Sequence, residues 1–168
     1  MNTPDDVATA DAFHLARFLT AQEPIFDTAL VELRRGRKES HWVWFIFPQA
    51  AGLGTSPMAQ RYAISSLEEA RAYLSHPILG PRLLECCKAL LDVDGRSAPE
   101  IMGSPDDLKL RSSMTLFSLA GCSHPEFDQV LTKYFEGKHD HRTLELLQNH
   151  PSANSLKSDV DRHFGDRP

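Results

Sequence analysis

At three places in this chain a serine stands three positions before a glutamate at the start of an apolar run, as in Ser66 with Glu69, Ser97 with Glu100, and Ser123 with Glu126. In such a pair the hydroxyl accepts from the glutamate's backbone N–H and the carboxylate reaches back to the serine N–H, so each marks a helix start. Stops follow at short intervals. Pro24 opens a run with Phe26, Leu30 and Leu33 at helical spacing, and Gly36 closes it; His76 and Pro77 end the run that Ser66 begins. Pro81 opens another, with Leu83, Leu84, Cys87, Leu90 and Leu91 on its apolar face, and Gly95 ends it. A chain punctuated this often folds as many short helices.

The remaining signals agree. Phe13 to Thr20 has enough apolar spacing for about two turns, and Ile101 and Met102 follow the Ser97 box. Ser104, Pro105 and Asp107 start a helix that Leu108, Met114, Leu116, Phe117 and Leu119 continue to Gly121, and a last helix spans Asp140 to Gln148. With no Asn-Gly hairpin and no alternating pattern, this predicts an all-α, single-domain bundle of about seven or eight short helices. The segment Trp42-Val43-Trp44-Phe45-Ile46-Phe47 would suit a strand by composition. A lone strand has no partner in a helical chain, so the segment is assigned to a buried helical turn capped by Ser40, at the centre of the core.

A length of 168 residues fits one domain, with 11–149 as the helical body, 1–10 as a flexible N-terminus and 150–168 as a flexible tail in which Val160 and Phe164 offer a short docking helix. Apolar residues make up 41% and charged ones 24%, which excludes wholesale disorder. The apolar block at Trp42 is far below the roughly 20 residues that cross a bilayer. Asp5 and Asp6 occupy the place of an export signal's positive charge, and three cysteines, two of them adjacent, build neither a disulfide framework nor a zinc site. The expected location is the cytoplasm. A net charge of −5 argues against broad nucleic-acid binding, because neutralising phosphates takes a positive field.

Two strings are distinctive: Gly36-Arg37-Lys38-Glu39-Ser40-His41-Trp42-Val43-Trp44-Phe45-Ile46-Phe47-Pro48-Gln49, followed by Gly52-Leu53-Gly54, and Ser104-Pro105-Asp106-Asp107-Leu108-Lys109-Leu110-Arg111-Ser112-Ser113-Met114-Thr115-Leu116-Phe117. Both resemble the signature of the bacterial family called domain of unknown function 1810, and the similarity runs from about Phe13 to Leu147. The resemblance implies an all-helical fold and no established activity. Some members carry the label calpastatin, which does not suit this chain: that inhibitor resembles a disordered polymer, whereas capped helices and a core are evident here.

Both tryptophans of the chain lie in the first string, flanked by Lys38, Ser40, His41 and Gln49, and indoles beside hydrogen-bonding side chains suit a flat ring. In the second string, Lys109, Ser112 and Ser113 share one helical face and Arg111 and Thr115 another, placed either to line a cleft or to form ion pairs. Asp106 and Asp107 favour the helix dipole and repel an anion from the helix terminus itself. The expectation is a cleft between the Trp42/Trp44 segment and the Lys109–Thr115 helix that binds a small anionic ring-containing ligand such as a nucleotide. Its residues are Lys38, Ser40, His41, Trp42, Trp44, Gln49, Lys109, Arg111 and Ser113, with Arg111 serving recognition rather than stability. The competing expectation is a non-enzymatic protein-interaction module in which these residues are core and ion pairs.

No catalytic residue is assigned. His41 has no identifiable partner, and a helix start beside an aromatic wall predicts that it is neutral and hydrogen-bonds to ligand. His139 and His141 do not make a metal site; Gly52-Leu53-Gly54-Thr55-Ser56-Pro57 reads as a simple turn rather than a phosphate loop; Cys86 and Cys87 lack an activating base. No cofactor is expected.

Overall fold

A computed structural model describes residues 11–121 and 123–149. The flexible termini expected at 1–10 and 150–168, with Val160 and Phe164, lie outside the described residues. Among the described residues there are ten α-helices and no strand: α1 (Ala16–Gln22), α2 (Phe26–Arg34), α3 (Val43–Ile46), α4 (Pro57–Arg61), α5 (Leu67–Ser75), α6 (Leu79–Asp92), α7 (Ala98–Met102), α8 (Asp106–Ala120), α9 (Glu126–Phe135) and α10 (His141–Gln148). One isolated parallel bridge joins Ala50 to Ile64. The all-α expectation holds. The count exceeds eight by two single turns: α3, which is the aromatic segment, and α4, which begins at the end of the expected simple turn, where Ser56 accepts from the Ala59 N–H at 3.2 Å.

The three serine–glutamate pairs come out differently. Ser97 and Glu100 form the complete reciprocal box. Ser66 caps Glu69 N at 3.1 Å, but the Glu69 carboxylate turns away to Ser65 and to Arg17, whose guanidinium lies 3.0 Å from it. The third box is absent, since α9 starts with Pro125 at the cap position and no side-chain cap. Gly36 takes the expected role: at φ +72° it donates to Leu33 O, and Arg37 N donates to Glu32 O, the paired bonds of a left-handed helix stop.

Helix α8 is the axis of the fold. It packs against α3, α5, α7, α9 and α10, so it is buried nearly all round, from Leu110 through Met114, Leu116 and Phe117 to Ala120. Two of its hydroxyls avoid a desolvation cost by turning inward along the helix, Ser112 Oγ donating to Leu108 O at 3.0 Å and Thr115 Oγ1 to Arg111 O at 2.8 Å. Around it α2, α5 and α9 pack on α6. The aromatic block closes the core as expected. Trp42 and Phe47 are fully buried, Phe45 meets Tyr62 edge-on at 5.3 Å, and the buried Gln22 donates to Phe45 O at 2.8 Å, tying α1 to α3. Ser40 does not cap α3: Trp42 occupies the cap position without a side-chain bond.

Candidate functional site

The stop at Gly36 reverses the chain so that 37–41 folds back over the end of α2. There Glu32, itself buried, receives three N–H groups on Oε1: Glu39 N at 2.6 Å, Ser40 N at 2.7 Å and Trp42 Nε1 at 3.2 Å. Burial pushes the Glu32 carboxyl pKa upward, yet the bonds from Ser40, Glu39 and Trp42 outweigh it and hold the group below the ordinary value. This anchor fixes Trp42 in the core and aims Lys38 toward α8.

The Lys38 side chain is 6% exposed; its ammonium donates to Ser40 O at 2.6 Å and pairs with Asp106 Oδ2 at 2.9 Å, 5.1 Å from the Trp42 ring centre. The other carboxylate oxygen of Asp106 takes Lys109 Nζ at 3.1 Å, and that ammonium lies 5.1 Å from the ring centre of the half-buried Trp44. Two lysines and both tryptophans thus surround one carboxylate. Desolvation raises the Asp106 pKa, but its bonds to Lys38 and Lys109 and their charges prevail, so the net shift is downward. Two cations on one anion leave one unit of positive charge.

Lys109 also lines a cleft of about 230 Å³ with Gln49, Ser112, Asp140 and Arg142. Leu53, Pro105 and Leu108 give it an apolar wall. Three elements converge here. Residues 49–54 are held by the exchange of Ala51 N to Ile64 O and Ile64 N to Gln49 O, both 2.8 Å, while Lys109 and Ser112 stand one turn apart on α8. Asp140 N donates to Thr115 Oγ1 at 2.8 Å, and Asp140 Oδ2 caps α10 through Thr143 N at 2.9 Å.

Of the nine residues expected to form a site, Lys38, Trp42, Trp44 and Lys109 gather about Asp106, and Gln49 joins Lys109 in the cleft. Not all of these face a ligand, and the others fall elsewhere. Trp42 and Ser113 are fully buried and present nothing to a ligand, and the Ser113 hydroxyl has no partner among the described residues. Ser40 lines a separate hollow with Glu32 and Glu39. His41 is exposed, next to a helix of one turn, and does not line the cleft. Arg111 does not line the cleft: Nε donates to Lys138 O at 2.9 Å and an Nη to His139 O at 2.8 Å, contacts that favour a structural role over the recognition role expected of it.

Among the described residues no group of three metal-ligating side chains occurs, and no helix is long and apolar enough to cross a membrane. Cys86 and Cys87 are buried, and burial pushes the Cys86 thiol up to about 12, so they are not nucleophiles at neutral pH. Asp140, Arg142 and the Leu53 wall were not anticipated. The available signal was Asp140 three residues before Thr143, an N-cap spacing that fixes where α10 begins.

Among the described residues, fold and site define an all-helical domain with a small cleft in which Lys109, Arg142 and Asp140 meet. The chain belongs to the family described as protein of unknown function DUF1810, whose profile matches residues 12–147. It is similar to the conserved hypothetical protein Rv1873 from Mycobacterium tuberculosis, a crystal structure, at 56% identity over 82% of this chain and 99% of that one, with a TM-score of 0.81. No curated protein matches.

Proposed function

We propose that this protein binds a small anionic, ring-containing ligand in the cleft lined by Gln49, Lys109 and Arg142, with Trp44 beside Lys109. The observation that carries this reading is that Lys109 lines the cleft while sharing its counter-ion Asp106, at 3.1 Å, with the buried Lys38 at 2.9 Å, so the Lys109 charge is only partly neutralised where a ligand would sit. A volume of about 230 Å³ lies below the roughly 300–1,000 Å³ of pockets that enclose a drug-sized ligand. One ring with one anionic substituent fits; a nucleotide such as AMP enters by one end only. The competing reading, a protein-interaction module, rests on Leu108, 55% exposed on the cleft wall.

Tryptophan fluorescence separates the two. Trp42 is sealed in the core, so quenching by benzoate or AMP reports on Trp44. Lys109→Ala should weaken that binding about tenfold, the order of one charge-assisted hydrogen bond, while Lys88→Ala, an exposed control on α6, leaves it unchanged. Silence with both anions, or equal binding by Lys109→Ala, overturns the proposal.

A further inference from the structure

Resting on that reading for the carboxylate end, we infer that the ligand also carries an ammonium, which makes it a zwitterion of amino-acid size with its carboxylate facing Lys109 and Arg142 and its ammonium facing Asp140. The lining of the cleft is not simply cationic. Asp140 stands in it, although a carboxylate would repel a ligand that carried negative charge alone. Its Oδ2 is spent on Thr143, accepting from the backbone N–H at 2.9 Å and the hydroxyl at 2.6 Å, while Oδ1 has no hydrogen bond among the described residues.

The cations of the same cleft do not neutralise it either. Lys109 is drawn one turn back to Asp106 at 3.1 Å, and Arg142 leans on Glu145 at 3.3 Å. Among the described residues no ion pair within 4.0 Å involves Asp140. Its position is imposed by Thr115, which takes its backbone N–H at 2.8 Å, and by its capping bond, so it cannot swing across to Lys109 without uncapping α10. Opposite charges therefore line one space of about 230 Å³ without pairing with one another, and a molecule with both charges satisfies both.

The rest of the lining fits the same class. The Gln49 side-chain amide has no hydrogen bond to any described residue and offers both a donor and an acceptor. Leu53, Pro105 and Leu108 supply an apolar wall for a side chain or ring, and Leu108 is left 55% exposed where such a group would cover it.

The test compares three forms of one ring against the intact protein by calorimetry: phenylalanine, which carries both charges, N-acetylphenylalanine, which keeps only the carboxylate, and phenylalaninamide, which keeps only the ammonium. Benzoate and AMP are run alongside. The expected result is that phenylalanine binds about tenfold or more tighter than either single-charge form, the order of one charge-assisted hydrogen bond. Asp140→Asn retains a side-chain oxygen for the α10 cap, so its melting temperature should stay near that of the parent while phenylalanine binding falls to the level of the N-acetyl form. Equal binding of phenylalanine and its N-acetyl form, or an Asp140→Asn protein of parental stability that keeps the preference, overturns the zwitterion. Binding of benzoate or AMP in those cases shows that the anion site itself stands, and silence with all five ligands removes both. The comparison among ligands needs no variant, so it is decisive even where Asp140→Asn unfolds.

Discussion

Glu32→Ala tests the hinge on which the site is built. The substitution removes the acceptor for Trp42 Nε1, Glu39 N and Ser40 N at 3.2, 2.6 and 2.7 Å. Trp42 is fully buried, so its indole N–H is left without water or protein, at a cost of about 1–3 kcal/mol. The two backbone groups lie in a half-exposed segment that water reaches, and together they add about 1 kcal/mol. The lost side chain leaves a cavity against Trp42 worth about 1 kcal/mol more. A loss of about 3–5 kcal/mol follows, a large share of the 5–15 kcal/mol typical of a domain. Glu32→Gln keeps an acceptor oxygen and loses the charge, so about 1–2 kcal/mol is expected, which keeps the measurement readable if the alanine variant is largely unfolded. Urea unfolding followed by tryptophan fluorescence and far-UV circular dichroism gives both values. An alanine variant within about 1 kcal/mol of the parent, with an unchanged slope, would refute the anchor.

Other outcomes follow from the same contacts. Arg111→Ala frees the carbonyls of Lys138 and His139 and loosens the entry to α10, so a drop of about 1–2 kcal/mol is expected in the same urea assay; an unchanged midpoint would return Arg111 to a recognition role. Glu32 and Asp106 both have folded pKa values below their ordinary ones, so their stabilisation is complete above the unfolded values near 4 and is lost as pH falls through the folded ones. Melting temperature should therefore hold from pH 7 to about 5 and decline below about 4, with a shallower decline in Glu32→Gln and in Asp106→Asn.

The helical architecture was legible because its signals are local. Gly36 must stop α2 since it alone accepts φ +72° without strain, and Ser97 with Glu100 has no competing partner nearby. Where a competitor exists, the local rule fails. Glu69 abandons its cap for Arg17, a residue 52 positions away that periodicity cannot see. The sequence predicts a capping side chain at Ser40, whereas its backbone makes the contacts: N–H to Glu32 and carbonyl to Lys38. The site was half legible for the same reason. Gln49 and Lys109 carry polar side chains at informative positions, but which charges meet depends on tertiary geometry. Sequence position makes the two acids at the start of α8 helix-dipole partners, and tertiary packing makes Asp106 the shared counter-ion of Lys38 and Lys109. Asp140 and Arg142 come from the far end of the sequence and reach the cleft only because Thr115 on α8 receives Asp140 N.

The most direct measurement is an amide chemical-shift titration of the nitrogen-15-labelled protein with benzoate at millimolar concentration. The moving signals should cluster at Leu53, Gly54, Lys109, Ser112, Asp140 and Arg142, together with the Trp44 indole, while the Trp42 indole, fully buried and bonded to Glu32, stays still. Movement confined to residues outside the cleft, or no movement at all, would contradict it.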